Sequence, residues 1–113
     1  MNPPDMTPPD RPRFPESRDL STLRRADFGE CVGDEFTTAD EDFVLRLRQA
    51  ESFGSRVDPQ SGRPFSCIFK GPDEPVLAQG IVDLRHPRLG SLSIFLVPIG
   101  PAADGMQYEA VFT

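Results

Sequence analysis

Few residues in this chain have side chains suited to catalysis or metal binding. The 113 residues include two cysteines, Cys31 and Cys67, and a single histidine, His86. A structural zinc site takes four ligands, so these three residues are too few and too widely spaced to form one. The sequence predicts no metal and no cofactor, and it leaves open a disulfide between the two cysteines.

Cys67 is a candidate nucleophile. A catalytic thiol needs a base within hydrogen-bond reach and a lowered pKa, and His86 is the only histidine that could serve as that base. However, Phe65, Cys67 and Phe69 alternate along one run, which places the thiol on the apolar face of a strand. We therefore predict that both cysteines are buried structural residues and that the chain is not an enzyme.

Four polar residues cluster around one predicted turn. Asp83, Arg85, His86 and Arg88 form a polar patch that could contact an anion or respond to pH, because histidine titrates near neutrality. The alternative is an ordinary polar turn, with the first two residues facing solvent. Acidic residues at 40–42 and 73–74 lie in predicted turns and not on positioned elements, which argues against acid–base catalysis or calcium binding there.

The charge of the chain excludes several classes of function. The formal net charge is −6 and the isoelectric point is about 4.6. Surfaces that bind nucleic acid or anionic membranes need a clustered basic excess, so we expect neither as a partner. No secretory signal is visible, and the longest apolar run, residues 94–99, is too short to span a bilayer. A cytoplasmic location is expected.

Alternating and apolar runs predict the elements that position these residues. The predicted strands are 35–39, 43–49, 65–70, 80–85, 91–97 and 108–112. Before them, apolar spacing indicates one short helix, capped by Ser21 or Thr22 and ended by Gly33. The predicted fold is mainly β, a single small antiparallel β-barrel or sandwich of about six strands with one short N-terminal helix.

Prolines set the predicted boundaries. Six prolines among residues 1–19 predict a disordered proline-rich arm, so a β-barrel-like domain would span residues 20–113. Phe14 in this arm could alternatively anchor it on a neighbouring subunit. Pro98 is expected to end the fifth strand because it cannot donate to a ladder, and the last two strands are expected to form a hairpin with a long loop.

The fifth predicted strand is apolar on both faces, since Phe95 and Val97 lie opposite the parity of Leu92, Ile94 and Leu96. A strand that is apolar on both faces must be covered on both. We expect the short helix to cover part of the outer face and a protein partner or a second copy to cover the rest. The predicted interface residues are Phe28, Val32, Phe95, Val97 and Val111.

A recognisable pattern runs through segments 63–72, 84–90, 94–100 and 108–112, with further matches at 27–33 and Phe36. In these segments the chain resembles a family of small bacterial proteins classed as a domain of unknown function. The resemblance extends over about residues 20–113. Members of that family tend to be encoded near phage-tail-collar-like proteins, which implies an accessory or assembly role.

The sequence therefore favours a non-enzymatic structural or protein-interaction module, with a protein partner or as a homo-oligomer. The alternative is a small-ligand binder or an enzyme that uses the polar patch at residues 83–88.

Overall fold

The computed structural model describes residues 18–113, and nearly all of the predicted disordered arm lies outside this range. The described residues form a closed antiparallel barrel of six strands with one short α-helix and one 3-10 turn, which confirms the predicted fold class. The elements in chain order are a 3-10 turn (Leu20–Thr22), α1 (Arg25–Gly29), β1 (Glu35–Thr38), β2 (Val44–Ser52), β3 (Phe65–Gly71), β4 (Gly80–His86), β5 (Gly90–Ala102) and β6 (Gly105–Phe112).

Each strand pairs antiparallel with a neighbour on either side, in the order β1-β2-β3-β6-β5-β4. The ring closes between β1 and β4, where Thr37 lies opposite Arg85. This closure brings the connection between α1 and β1 beside the turn between β4 and β5. Two distant parts of the chain therefore meet at one end of the barrel.

Alternate side chains of the strands point inward and fill the barrel. The predicted inward residues of β3 and the Leu92, Ile94 and Leu96 side chains of β5 are buried. In β2, a register shift between Leu47 and Gln49 inserts one extra residue, so the next buried side chain is Ala50. A purely alternating pattern does not anticipate this change of parity.

The α1 helix closes one end of the barrel, which we call the helix end. The Phe28 ring lies 5.8 Å from the Phe65 ring and 5.1 Å from the Phe112 ring, where β3 begins and β6 ends. Arg63 holds the 3-10 turn at the same end, because its guanidinium donates to the carbonyls of Leu20 (2.6 Å) and Leu23 (3.0 Å). Burial of apolar side chains holds this short segment in place.

The predicted helix from Ser21 to Gly33 was too long. Asp19 caps the 3-10 turn by accepting from the Ser21 backbone, while the Arg24 backbone donates to the Asp27 carboxylate at the start of α1. The chain thus bends between two short helical turns as it wraps over the barrel end. Within residues 18–113, no helix has the length and apolarity needed to cross a membrane.

The prediction that Pro98 ends β5 was also wrong, since β5 continues to Ala102. The β4 ladder stops at Leu96, so Pro98 sits where β5 pairs only with β6, and a register shift follows it. A proline is tolerated where one side of a strand has no ladder to join. Because both strands extend, Ala102 pairs with Gly105 and the predicted long loop becomes a two-residue turn.

Candidate functional site

The polar turn between β4 and β5, residues 86–90, is organised by His86, whose side chain is 2 % exposed. Its Nδ1 accepts the backbone N–H groups of Arg88 (3.1 Å) and Leu89 (3.2 Å). An acceptor nitrogen carries no proton, so the ring proton of the neutral imidazole lies on Nε2, which donates to Asp34 Oδ2 at 2.9 Å. The ring also stacks on Phe36 at a centroid distance of 4.6 Å.

Cys31 joins this cluster and gives it the residue types of a metal centre. One donor atom each from Cys31, Asp34 and His86 lies within 4.8 Å of the other two. A metal bound to Nε2 requires the ring proton on Nδ1, where it would need an acceptor. The Nδ1 atom instead faces two N–H donors, so the histidine is held in the tautomer that cannot bind a metal.

Neither cysteine has the environment of a nucleophile. Burial raises the pKa of the Cys31 thiol, whose Sγ donates to the Asp27 carbonyl at 3.4 Å. Burial raises the pKa of Cys67 to about 12. A reactive cysteine needs the opposite shift, because the thiolate is the nucleophile. Both cysteines are free and buried in the structure, as predicted.

The cations of the predicted polar patch are each matched by a carboxylate. Arg85 binds Glu41 and Arg88 binds Glu30, both at 2.9 Å. Asp83 is exposed and accepts from the Ser93 hydroxyl at 2.6 Å. An open hollow of about 570 Å³ lies between this turn and residues 33–37. An anion entering it would compete with carboxylates already in place.

A second surface lies on the outside of β4, β5 and β6. We call it the outer apolar face and define it by Ile81, Phe95, Val97 and Val111. Ile81 pairs directly with Phe95, and these side chains are 72 % and 50 % exposed. Val97 is half-buried, and Val111 is 52 % exposed. Ile81 and Phe95 thus form a directly paired apolar centre, with Val97 next on the same side of β5 and Val111 on the outside of β6.

The structure divides the predicted interface residues into three groups. Phe95, Val97 and Val111 share the outer apolar face. Phe28 does not cover that face, because it is fully buried at the helix end of the barrel. Val32 is exposed but lies beside β2, as the adjacent Gly33 donates its N–H to Leu47. Since β2 is opposite β5 in the ring, Val32 belongs to a different side of the molecule.

A model of one protein family matches residues 23–112, which include α1, every strand and the polar turn. The chain belongs to the DUF6916 family. The family is described as a domain of unknown function, in agreement with the uncharacterised domain that the sequence resembles. No curated protein and no solved structure matches the chain.

Sequence reasoning missed two members of the His86 cluster in this DUF6916 domain, Cys31 and Asp34. They lie next to His86 only because β1 pairs with β4, and Asp34 is 52 positions from it along the chain. No local spacing signals such a contact. It also missed Ile81 of the outer apolar face, although Ile81 shares strand parity with Asp83 and Arg85, which were predicted to face solvent.

We expect His86→Phe to destabilise the DUF6916 domain by roughly 2–3 kcal/mol. Phenylalanine keeps an aromatic ring beside Phe36 but leaves the N–H groups of Arg88 and Leu89 without their acceptor. Urea unfolding measures the change. Asp34→Ala is the control, because it removes only a half-exposed partner and should cost less than about 1 kcal/mol. Equal losses in both variants would mean that the contact with Asp34, and not the acceptor at Nδ1, stabilises the turn.

Proposed function

We propose that this DUF6916 domain is a non-enzymatic protein-interaction module that binds a second protein chain, in the first instance another copy of itself, through the outer apolar face. The observation that carries the proposal is the directly paired Ile81 and Phe95, both largely exposed. Fully burying a side chain of this type is worth roughly 1.5–3 kcal/mol. Contact with a partner would bury these two side chains and so provide hydrophobic free energy that the isolated barrel does not gain from them.

The surroundings of the face support this proposal. Asp83 and Ser93 form the next pair along β4 and β5, and Glu109 lies opposite Val97 on the other side. An apolar centre with a polar rim is the usual arrangement of a protein–protein contact. The polar rim would set the orientation of the partner, while the apolar centre would supply most of the binding free energy.

A structural role in a larger assembly is consistent with these features. The resemblance to bacterial proteins encoded near phage-tail-collar-like proteins supports an accessory role in a phage-tail-like assembly in the bacterial cytoplasm. The net charge of −6 makes nucleic acid an unfavourable partner.

The hollow beside the polar turn is the observation that favours a second candidate function, binding of a small ligand or catalysis at residues 83–88. This alternative has less support. Both ring nitrogens of His86 are engaged by the fold, and Arg85 and Arg88 already bind carboxylates. A general base or an anion site needs such groups to face the substrate.

Sedimentation velocity over a concentration series tests the proposed contact. The unaltered protein should associate as its concentration rises, and Phe95→Ser should raise the dissociation constant at least about tenfold, as expected for losing a central aromatic. Val44→Ser is the matched control, because Val44 is 44 % exposed on β2, on the opposite side of the ring. A protein that stays monomeric throughout, or an equal loss in both variants, would contradict the proposal.

A further inference from the structure

We propose that the outer apolar face accepts a segment of another protein in which arginine or lysine side chains stand beside apolar ones. This inference rests on the proposed function, because it uses the same face, and it adds the chemistry of the partner. The unpaired charges beside the face are carboxylates, and a hollow at its edge combines apolar walls with two more exposed acidic groups. Both features favour a partner that is apolar and positively charged.

The strands that carry the outer apolar face hold very little positive charge. β5 and β6 contain no lysine or arginine, and β4 contains only Arg85, which binds Glu41 at 2.9 Å. Asp83 on β4 and Glu109 on β6 point to the same side of the sheet as this face. Among residues 18–113, neither carboxylate has a cationic nitrogen within 4 Å. Their charges are therefore open to a cation from a partner.

A hollow of about 390 Å³ lies at the edge of the outer apolar face, between β4 and the turn that joins β1 to β2. Asp40 and Asp83, both exposed, stand at its rim, and Ile81 belongs both to the hollow and to the face. None of the described residues that line it is a lysine or an arginine. Its apolar lining residues are Ala39, Phe43, Leu77, Ile81 and Val82.

Neighbouring groups fix both carboxylates at the rim of the hollow. Asp40 accepts the Thr38 hydroxyl at 2.6 Å and the Asp42 N–H at 3.1 Å, and these bonds hold the pKa of Asp40 below its ordinary value. Asp83 accepts the Ser93 hydroxyl at 2.6 Å. All three bonds are made by Oδ1, which leaves Oδ2 of each carboxylate for a further donor. A guanidinium supplies several such donors in one plane.

A side chain with an apolar stem and a cationic tip suits this hollow. Lysine and arginine pack their alkyl stems along apolar surface and keep the charged group among polar atoms. In the hollow the stem would contact Phe43 and Ile81, while the tip would lie between Asp40 and Asp83. Apolar side chains of the same segment would then cover the pair formed by Ile81 and Phe95. One short segment can thus satisfy both parts of the surface.

A second copy of this chain matches the surface less well. Two copies joined face to face would bring the same carboxylates together, and like charges in a contact weaken it. The net charge of −6 also attracts a basic partner over a distance and repels a second copy. The cations of β2 and β3 lie on the opposite side of the ring, where Glu35 and Asp104 bind them. These cations are Arg46, Arg48 and Lys70.

Isothermal titration of the full chain with two synthetic peptides, blocked at both ends, tests the chemistry of the partner. One peptide alternates arginine with leucine, and the other carries citrulline in place of each arginine, which removes the charge and keeps the shape. The arginine peptide should bind at least about tenfold more tightly at low salt, and added salt should reduce this difference. Phe95→Ser should weaken the binding of both peptides, because each uses the apolar centre.

Asp83→Asn tests the contribution of the rim. The variant removes one charge and keeps an amide oxygen that can accept from Ser93. Its affinity for the arginine peptide should fall about threefold to tenfold, while its affinity for the citrulline peptide should stay within about twofold. Glu51→Gln is the matched control, because it removes the same charge from an exposed residue of β2, on the opposite side of the ring. It should change the affinity for the arginine peptide by less than about twofold.

Four results would overturn the inference. Equal affinity for the two peptides would mean that the face recognises apolar side chains alone. Equal weakening by Asp83→Asn and Glu51→Gln would show that the overall charge attracts the peptide. An undiminished affinity in Phe95→Ser would place the peptide elsewhere. Self-association that Lys70→Gln weakens as much as Asp83→Asn does would assign the rim to a second copy.

The same measurements separate this inference from the proposed function. A protein that self-associates in sedimentation but does not bind the arginine peptide would contradict the inference and leave the proposed function in place. A protein that stays monomeric and binds the arginine peptide through Asp83 and Phe95 would contradict the proposed self-association and support the inference.

Discussion

Replacing Phe28 by alanine should lower the free energy of unfolding by about 3–5 kcal/mol, one of the largest effects expected for a single substitution here. The Phe28 ring is fully buried and packs against Phe65 and Phe112 at the helix end of the barrel. The five-residue α1 is too short to form alone, so its position depends on the apolar side chains that it buries. Urea unfolding gives the change, and hydrogen exchange shows which amides open.

The matched control for this variant is Val32→Ala, a few positions later in the same segment. Val32 is 46 % exposed, so its truncation should change stability by less than about 0.5 kcal/mol. In Phe28→Ala the amides of residues 23–31 should lose protection before those of the strands. If Phe28→Ala costs less than about 1 kcal/mol, α1 does not close the barrel.

Gly105→Ala should destabilise the protein by roughly 2–6 kcal/mol, from backbone strain and overpacking together. Gly105 has a φ of +155°, and a Cβ there would collide with the carbonyl oxygen of Gly71 on the neighbouring β3. A backbone atom in a ladder cannot move aside as the end of a flexible side chain can. The β5–β6 hairpin should lose its pairing next to the turn. Urea unfolding with an unchanged m-value would measure the loss of stability.

Gly80→Ala separates the two contributions. Gly80 has a nearly identical φ of +158°, but nothing lies within 4 Å of the Cβ that alanine would add. This variant should therefore show only the cost of the backbone conformation, about 1–3 kcal/mol. Similar losses at both glycines would mean that the close approach to Gly71 does not constrain the hairpin.

The polar turn illustrates how a cluster with catalytic residue types can serve structure. The donor atoms of a cysteine, a histidine and an aspartate lie within 4.8 Å of one another, yet the histidine accepts two turn N–H groups at Nδ1 and its Nε2 donates to Asp34. The same contacts that stabilise the turn remove the lone pair that catalysis or metal binding needs. The polar residues near His86 are best explained as contacts that hold the segment before β1 against the end of β4.

Much of the fold could be predicted because it depends on local patterns. Alternation in 65–70 and 91–97 placed the correct side chains inside the barrel, and the two-faced β5 identified Phe95 as exposed apolar surface. Both predictions rest on the two-residue alternation of a β-strand, which depends only on the residues of that strand.

The sequence by itself thus determined the class of fold, which residues of most strands point inward, and that β5 carries apolar side chains on its outer face as well. Only the tertiary structure decided that Phe28 is buried at the helix end and does not cover the outer apolar face, that Pro98 lies within a strand and that Cys31 and Asp34 lie beside His86. The physical reason is closure. Which residues meet when β1 pairs with β4 and α1 folds over the barrel end depends on contacts between distant parts of the chain, and no local period encodes them.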